Sequence, residues 1–286
     1  MPYNNFMKIY LSCTILILLS IPCFSQSSTS ELLDDLFADK PTTFSKFIPL
    51  NNGQLTYGAC LLAPKTFIDK VNQFKSEAGR KAKNKKKEAL IKKDIDYFAR
   101  NMVEYYVSHY GRDSLVMATI QQINAEKQSD PNYANLIKEA SEKLQVKMLS
   151  SAETKFLNEF VLGTADLNDT ALFKHSAAYR DWIDSYLYNL NIDRQFRYSA
   201  SEYENRYLLP LEAIYNKIPA GFIKNYLTYQ YTLYALKMVT NPQKLDSLYI
   251  DFAARRDNSE YKVKIDQVYN NLLLSRPKSP APDFSY

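Results

Sequence analysis

Glycine is scarce in this chain, 6 of 286 residues against 12 prolines. Average usage is about 7%. Folds that depend on many positive-φ turns, such as hairpin-rich sandwiches and nucleotide-binding α/β sheets, are hard to build from so little glycine. The expected fold is therefore all-α: an irregular bundle of about eight to ten helices, with at most a short strand near residues 54–63. At 46% hydrophobic and 23% charged, the chain can bury one sizeable core and is neither disordered nor collagen-like. The net charge of +5 neither requires nor excludes an anionic partner.

The N-terminus reads as an address. Lys8 is the only charge ahead of the apolar run Leu11 to Phe24, and Cys23-Phe24-Ser25 precedes Gln26. This is the pattern of a secretory signal peptide over residues 1–25, with the mature chain starting at Gln26. The apolar run is too short to span a bilayer core of about 30 Å. Neither Cys13 nor Cys23 sits in a good lipidation box. The expected location is exported, in the periplasm or cell envelope of a Gram-negative bacterium, with membrane contact only through the leader before cleavage. Cleavage would leave Cys60 as the one cysteine, without a disulfide partner and, among apolar neighbours, expected to be buried.

A lead segment, 26–63, holds a short expected helix over Glu31 to Asp39 and strand character over Gln54 to Ala63. A helical domain follows over 64–276. Phe67, Val71 and Phe74 lie on one helical face. The basic run from Arg80 through Lys93 is opposed only by Glu88, and the helical periodicity then continues to Gly111. Further start signals are Asp113, Asp130-Pro131, the capping box Ser150/Glu153, Asn168 or Asp169, Asn241-Pro242 and Asp257/Glu260. Gly163 reads as a stop. A long helix is expected from about residue 169 to Asn191, with Phe173, Ala177, Trp182, Tyr186 and Leu190 on its buried face. Another spans Gln195 to Lys217 with a kink at Pro210. Phe222, Tyr226, Tyr229, Leu233 and Leu236 mark the next, and the last stops near Arg276-Pro277.

Signs of catalysis are missing. His109 and His175 form no metal-spaced pair, and there is no Gly-x-Ser-x-Gly, phosphate loop or Cys-x-x-Cys. The expectation is no catalytic, cofactor-binding or metal-binding residue and no cofactor. Asp34-Asp35 and the Asp181, Asp184 pair are carboxylates that only the fold could bring together. Eight cations between Arg80 and Lys93 suit either an anionic surface or, more plainly, the solvated outer half of a long helix; nucleic acid does not fit an exported chain. The tyrosines of residues 181–250 could line a peptide or glycan groove, but at helical spacing they read better as a core edge whose hydroxyls reach water.

The chain ends Ser279-Pro280-Ala281-Pro282-Asp283-Phe284-Ser285-Tyr286. Ala-Pro-Asp-Phe after a polar linker and a helix resembles the lead-in to a thioredoxin-like domain of the AhpC/TSA and TlpA/ResA type. Exported members of that family often carry a long N-terminal extension, and residues 26–276 resemble one. Lys278 stands where the family usually has Gly. The resemblance implies that residues 277–286 are a linker and the start of a thioredoxin-like domain whose redox cysteines are absent from this sequence. It also implies a non-catalytic accessory role, positioning, dimerising or recruiting substrate for a thiol-disulfide oxidoreductase, the chain being either cut short by a premature stop or frameshift or retained as a stand-alone extension. The implied partners are a thioredoxin-like domain or redox protein, or a second copy in a homodimer. The alternative is a stand-alone periplasmic helical scaffold binding a peptide or glycan.

Overall fold

The computed structural model describes residues 35–111, 114–127, 130–143, 147–163, 166–187, 205–255 and 259–275. The expected leader over 1–25, Asp113, Leu190, Asn191, Gln195, Asp257, Arg276, Pro277 and the terminal Ala-Pro-Asp-Phe motif lie outside these residues. The fold is all-α, with thirteen helices and one two-stranded hairpin among the described residues. In chain order these are α1 (Lys40–Phe44), β1 (Leu50–Asn51), β2 (Gln54–Leu55), α2 (Tyr57–Cys60), α3 (Pro64–Ala82) and α4 (Glu88–His109). Then come α5 (Ser114–Lys127), α6 (Tyr133–Lys143), α7 (Ser151–Leu162), α8 (Thr170–His175) and α9 (Ala177–Ser185). Last are α10 (Asn205–Lys217), α11 (Phe222–Met238), α12 (Pro242–Ala254) and α13 (Ser259–Leu274). The described residues divide into two compact units, one lying within 35–163 with 175–182, the other within 166–174, 183–187, 205–255 and 259–275.

In the first unit α3 and α4 form an antiparallel hairpin, because a five-residue connection leaves no other arrangement. Phe67 stacks on Tyr106 at 4.0 Å and Phe74 meets Phe98 at 5.6 Å, so the rings run in opposite chain order along the pair. Phe44 of α1 closes this core edge-on against Phe74 at 5.1 Å. α7 packs on the other side of α4, where Arg100 Nη1 donates to the carbonyls of Val161 and Leu162. The Trp182 indole N–H also donates to Val161, and its ring lies 5.1 Å from Tyr97. In the second unit α11 is central, touching α10, α12 and α13. Ile223, Leu227, Ala235 and Leu236 are buried there with Ile214, Phe252 and Ile265.

Several local signals work as expected. Ser150 and Glu153 make a reciprocal capping box, Asn241 caps α12 ahead of Pro242, and Asp169 accepts from the Leu172 amide at α8. Gly163 ends α7 at φ 40°. Gly111, just past α4, has φ 70° and donates its N–H to the Cys60 carbonyl at 3.2 Å. A Cβ added there would lie 2.2 Å from the Lys147 carbonyl oxygen, which is backbone and cannot swing away. Gly111→Ala should therefore lose about 2–3 kcal/mol, left-handed strain plus overlap. Urea unfolding measures it, and a loss below about 0.5 kcal/mol would contradict the argument.

Other expectations are corrected. The strand expected over 54–63 is a two-residue β2 followed by α2, since Thr56 Oγ1 accepts from the Ala59 amide and starts a helical turn. The hairpin turns at Asn52-Gly53, with φ 49° and 78°, the backbone of a two-residue hairpin loop. The helix expected over Glu31 to Asp39 is not formed in its described part, where 36–39 are turns, and the first helix, α1, begins only at Lys40. The long helix expected from 169 is broken at Ser176, and its expected face is only partly realised: Phe173 and Trp182 are buried, while Ala177 and Tyr186 are half-exposed. α6 begins at Tyr133 because Asp130 spends its carboxylate on the Asn132 amide, an Asx turn that precedes the helix. The basic segment is not one helix either: α3 stops at Ala82, and Asn84 and Lys87 turn the chain at φ 64° and 66°. Consecutive lysines repel along a helix, and Asn accepts the left-handed region more readily than most residues.

Candidate functional site

Charge inside a core is the usual mark of a site, and in the first unit it gathers around Lys40. Lys40 opens α1 and is 1% exposed; Asp94, on α4, is fully buried. The ammonium donates to Asp94 Oδ2 at 2.7 Å and also to Asp35. Ser176 Oγ donates to Asp94 Oδ1 at 2.6 Å and accepts from the Tyr179 amide at 2.9 Å, so it also caps α9. Burial raises the Asp94 carboxyl above the usual range, against the Lys40 charge and the Ser176 hydroxyl that favour its anion, with Asp35 adding to the rise.

A serine, a lysine and an aspartate in contact invite a comparison with nucleophilic catalysis. Here the hydroxyl proton is given to Asp94 and the oxygen takes an amide, while the lysine is held between two carboxylates. Each group is engaged and enclosed, and the arrangement holds three segments together rather than presenting a reactive atom. The sequence singled out Asp35 but not Lys40, Asp94 or Ser176. One signal was visible: Asp94 interrupts the apolar face of Ile91, Ile95 and Phe98.

Two residues further along α4, Asp96 binds Lys75 and the Arg100 guanidinium, whose Nε lies 2.8 Å away. Burial alone would raise this carboxyl, but the hydrogen bonds and charges of Lys75 and Arg100 outweigh it and hold it below its ordinary value. A depressed folded value stabilises above the unfolded pKa and is lost as pH falls through the folded one. Asp96→Asn should thus flatten the acid limb of the stability profile below about pH 4, read by circular dichroism; an unchanged limb would refute the pairing.

The other candidates stay apart. Cys60 is 3% exposed and burial pushes its thiol up to about 11. Because the thiolate is the reactive form, Cys60 in the native protein should be alkylated at least about a hundred-fold more slowly than in urea, followed on its own peptide by mass spectrometry; equal rates would contradict its burial. The His109 ring stacks on Tyr105 at 3.8 Å, and its Nδ1–H donates to the Tyr105 carbonyl at 2.9 Å. His175 closes α8. Asp34 lies outside the described residues, and Asp181 and Asp184 fall in different units, Asp184 accepting from Tyr231. Among the described residues no group of His, Cys, Asp and Glu could hold a metal ion, and no helix is long and apolar enough to cross a membrane. The clefts found are open grooves of about 710 Å³ along α7 and about 480 Å³ beside the α3–α4 turn.

Several of the described tyrosines are core residues or cross-links, while Tyr57 and Tyr234 are exposed. Tyr226, Tyr229 and Tyr231 are buried, and Tyr229 stacks on Tyr261 at 4.5 Å. Tyr249 and Tyr269 stack at 3.9 Å, Tyr249 donating to Asp266 at 2.9 Å and Tyr269 to Asp246 at 2.6 Å. These hydroxyls reach carboxylates on the facing helix, where water was expected, because α12 and α13 bring each tyrosine opposite the other's aspartate. No family model, curated protein or solved structure matches the chain.

Proposed function

We propose that the chain is an exported, non-catalytic helical domain accessory to a thioredoxin-like thiol-disulfide oxidoreductase, acting by positioning, dimerisation or substrate recruitment. The observation that carries this reading is the terminal Ala281-Pro282-Asp283-Phe284 motif following a long helical body. The chemistry of that body is consistent with it. The one cysteine beyond the leader is buried with a raised pKa, so it is a poor nucleophile. The charged centre around Lys40 is enclosed and fully engaged, which suits a rigid support.

The reading is tested by translating the genomic bases beyond the Tyr286 codon in all three forward frames. A strand followed by a Trp-Cys-x-x-Cys helix start is expected in one frame. If no frame carries it, the accessory role is overturned. Purified protein should also show no turnover in insulin reduction, and measurable turnover would remove the word non-catalytic.

A further inference from the structure

Segment 80–93 carries eight cations against the single anion Glu88, an excess larger than the +5 of the whole chain. All other residues together are therefore slightly acidic, and the excess positive charge lies in this segment. The fold concentrates it. Because α3 ends at Ala82 and α4 starts at Glu88, Lys83, Lys85, Lys86 and Lys87 lie in one tight turn, and all four are exposed. In a continuous helix Lys83, Lys86 and Lys87 would share a face and Lys85 would point away from it; the left-handed residues Asn84 and Lys87 put all four in the turn at the tip of a hairpin.

The tip is built firmly. Glu88 accepts from the Asn84 amide at 2.9 Å and pairs with Lys92, so the one acid of the segment is used to close the turn. Lys81 is tied to Asp39 at 3.8 Å, and Lys85 lies over the Phe37 ring at 5.7 Å. The hairpin is anchored below by the Phe44, Phe74 and Phe98 cluster.

From this geometry we infer that the α3–α4 turn is a docking surface for the anionic face of a lipid bilayer. The choice of partner rests on the residue type. Arginine, with its planar fork, is the residue suited to holding a particular carboxylate or phosphate; lysine is a hydrated point charge on a flexible stem. The four lysines of the turn fit a diffuse layer of mobile headgroups, and clusters of four to eight basic residues are the usual size for such attraction. The contact is with the surface only and is separate from the leader.

The test is co-sedimentation of the full chain, as its expression host processes it, with vesicles of phosphatidylcholine alone or with about 30% phosphatidylglycerol. Binding to the anionic vesicles should be at least about ten-fold stronger than to neutral ones at low salt, and should fall steeply as ionic strength rises. K83E/K85E/K86E/K87E should remove that ten-fold preference while leaving circular dichroism unchanged, since the four side chains are exposed. A control of equal charge change elsewhere, K138E/K143E/K155E/K237E, should keep most of it. Equal binding to both vesicles, or equal loss in the two variants, would overturn the proposal. So would capture of an acidic protein through the turn without vesicle binding. None of these outcomes depends on the bases beyond the Tyr286 codon, so the accessory reading and this surface stand or fall separately.

Discussion

Asp94→Ala should lower unfolding free energy by about 3–5 kcal/mol, the cost of breaking a buried charge pair from one side. Lys40 would remain 1% exposed with only Asp35, itself part-exposed, to balance it. Ser176 would lose the acceptor for its hydroxyl proton while still holding the Tyr179 amide. The single tryptophan makes the measurement simple, because Trp182 is buried in the same unit and its fluorescence follows unfolding there. The double variant K40M/D94L should recover most of the loss, since replacing both charges by apolar groups of similar size removes the desolvation cost together with the attraction. An Asp94→Ala loss below about 1 kcal/mol would mean that water reaches Lys40 and relieves it. A double variant as unstable as the single one would show that the charges themselves, rather than their balance, hold the unit together.

Phe74→Ala should cost a similar 3–5 kcal/mol for a different reason. Phe74 is fully buried on α3, with edge and tilted contacts to Phe44 and Phe98 at 5.1 and 5.6 Å. Removing the ring forfeits its transfer from water and leaves a cavity among rigid rings that cannot collapse into it. Phe156→Ala on α7, where the ring is 44% exposed, should change stability by no more than about 0.5 kcal/mol. Equal losses at the two positions, in urea titrations followed by Trp182 fluorescence, would show that the aromatic cluster is not the core of the first unit.

The helical class and a number of helix ends were legible in the sequence because they rest on local interactions. Scarce glycine excluded turn-rich folds. The Ser150/Glu153 box, Asn241-Pro242, Gly163 and Gly111 each work through atoms a few residues away, so the sequence contains both partners. The burial of Cys60 was legible from its apolar neighbours. The hairpin at 50–55 was also written locally, in Asn52-Gly53, while the β-like residues after it suggest a strand over 54–63 that does not form beyond Leu55.

The charged centre was legible only in part. Asp94 was not singled out, although it is an acid interrupting an apolar face; its partners lie 54 and 82 residues away, and no local rule could choose Lys40 and Ser176 from the many other polar side chains. The tyrosine hydroxyls behaved the same way, since spacing puts rings on one face and says nothing of the aspartates brought opposite them. In the basic segment good helix formers argued for continuity, yet α4 must turn back to bury Ile91, Ile95 and Phe98 against α3. By itself the sequence determined which stretches coil and where many of them stop, because backbone propensity and capping act over one or two turns. Which charges are buried, which rings pair and where the lysines gather was decided by tertiary packing, because those energies come from desolvation and contact between segments distant in the chain.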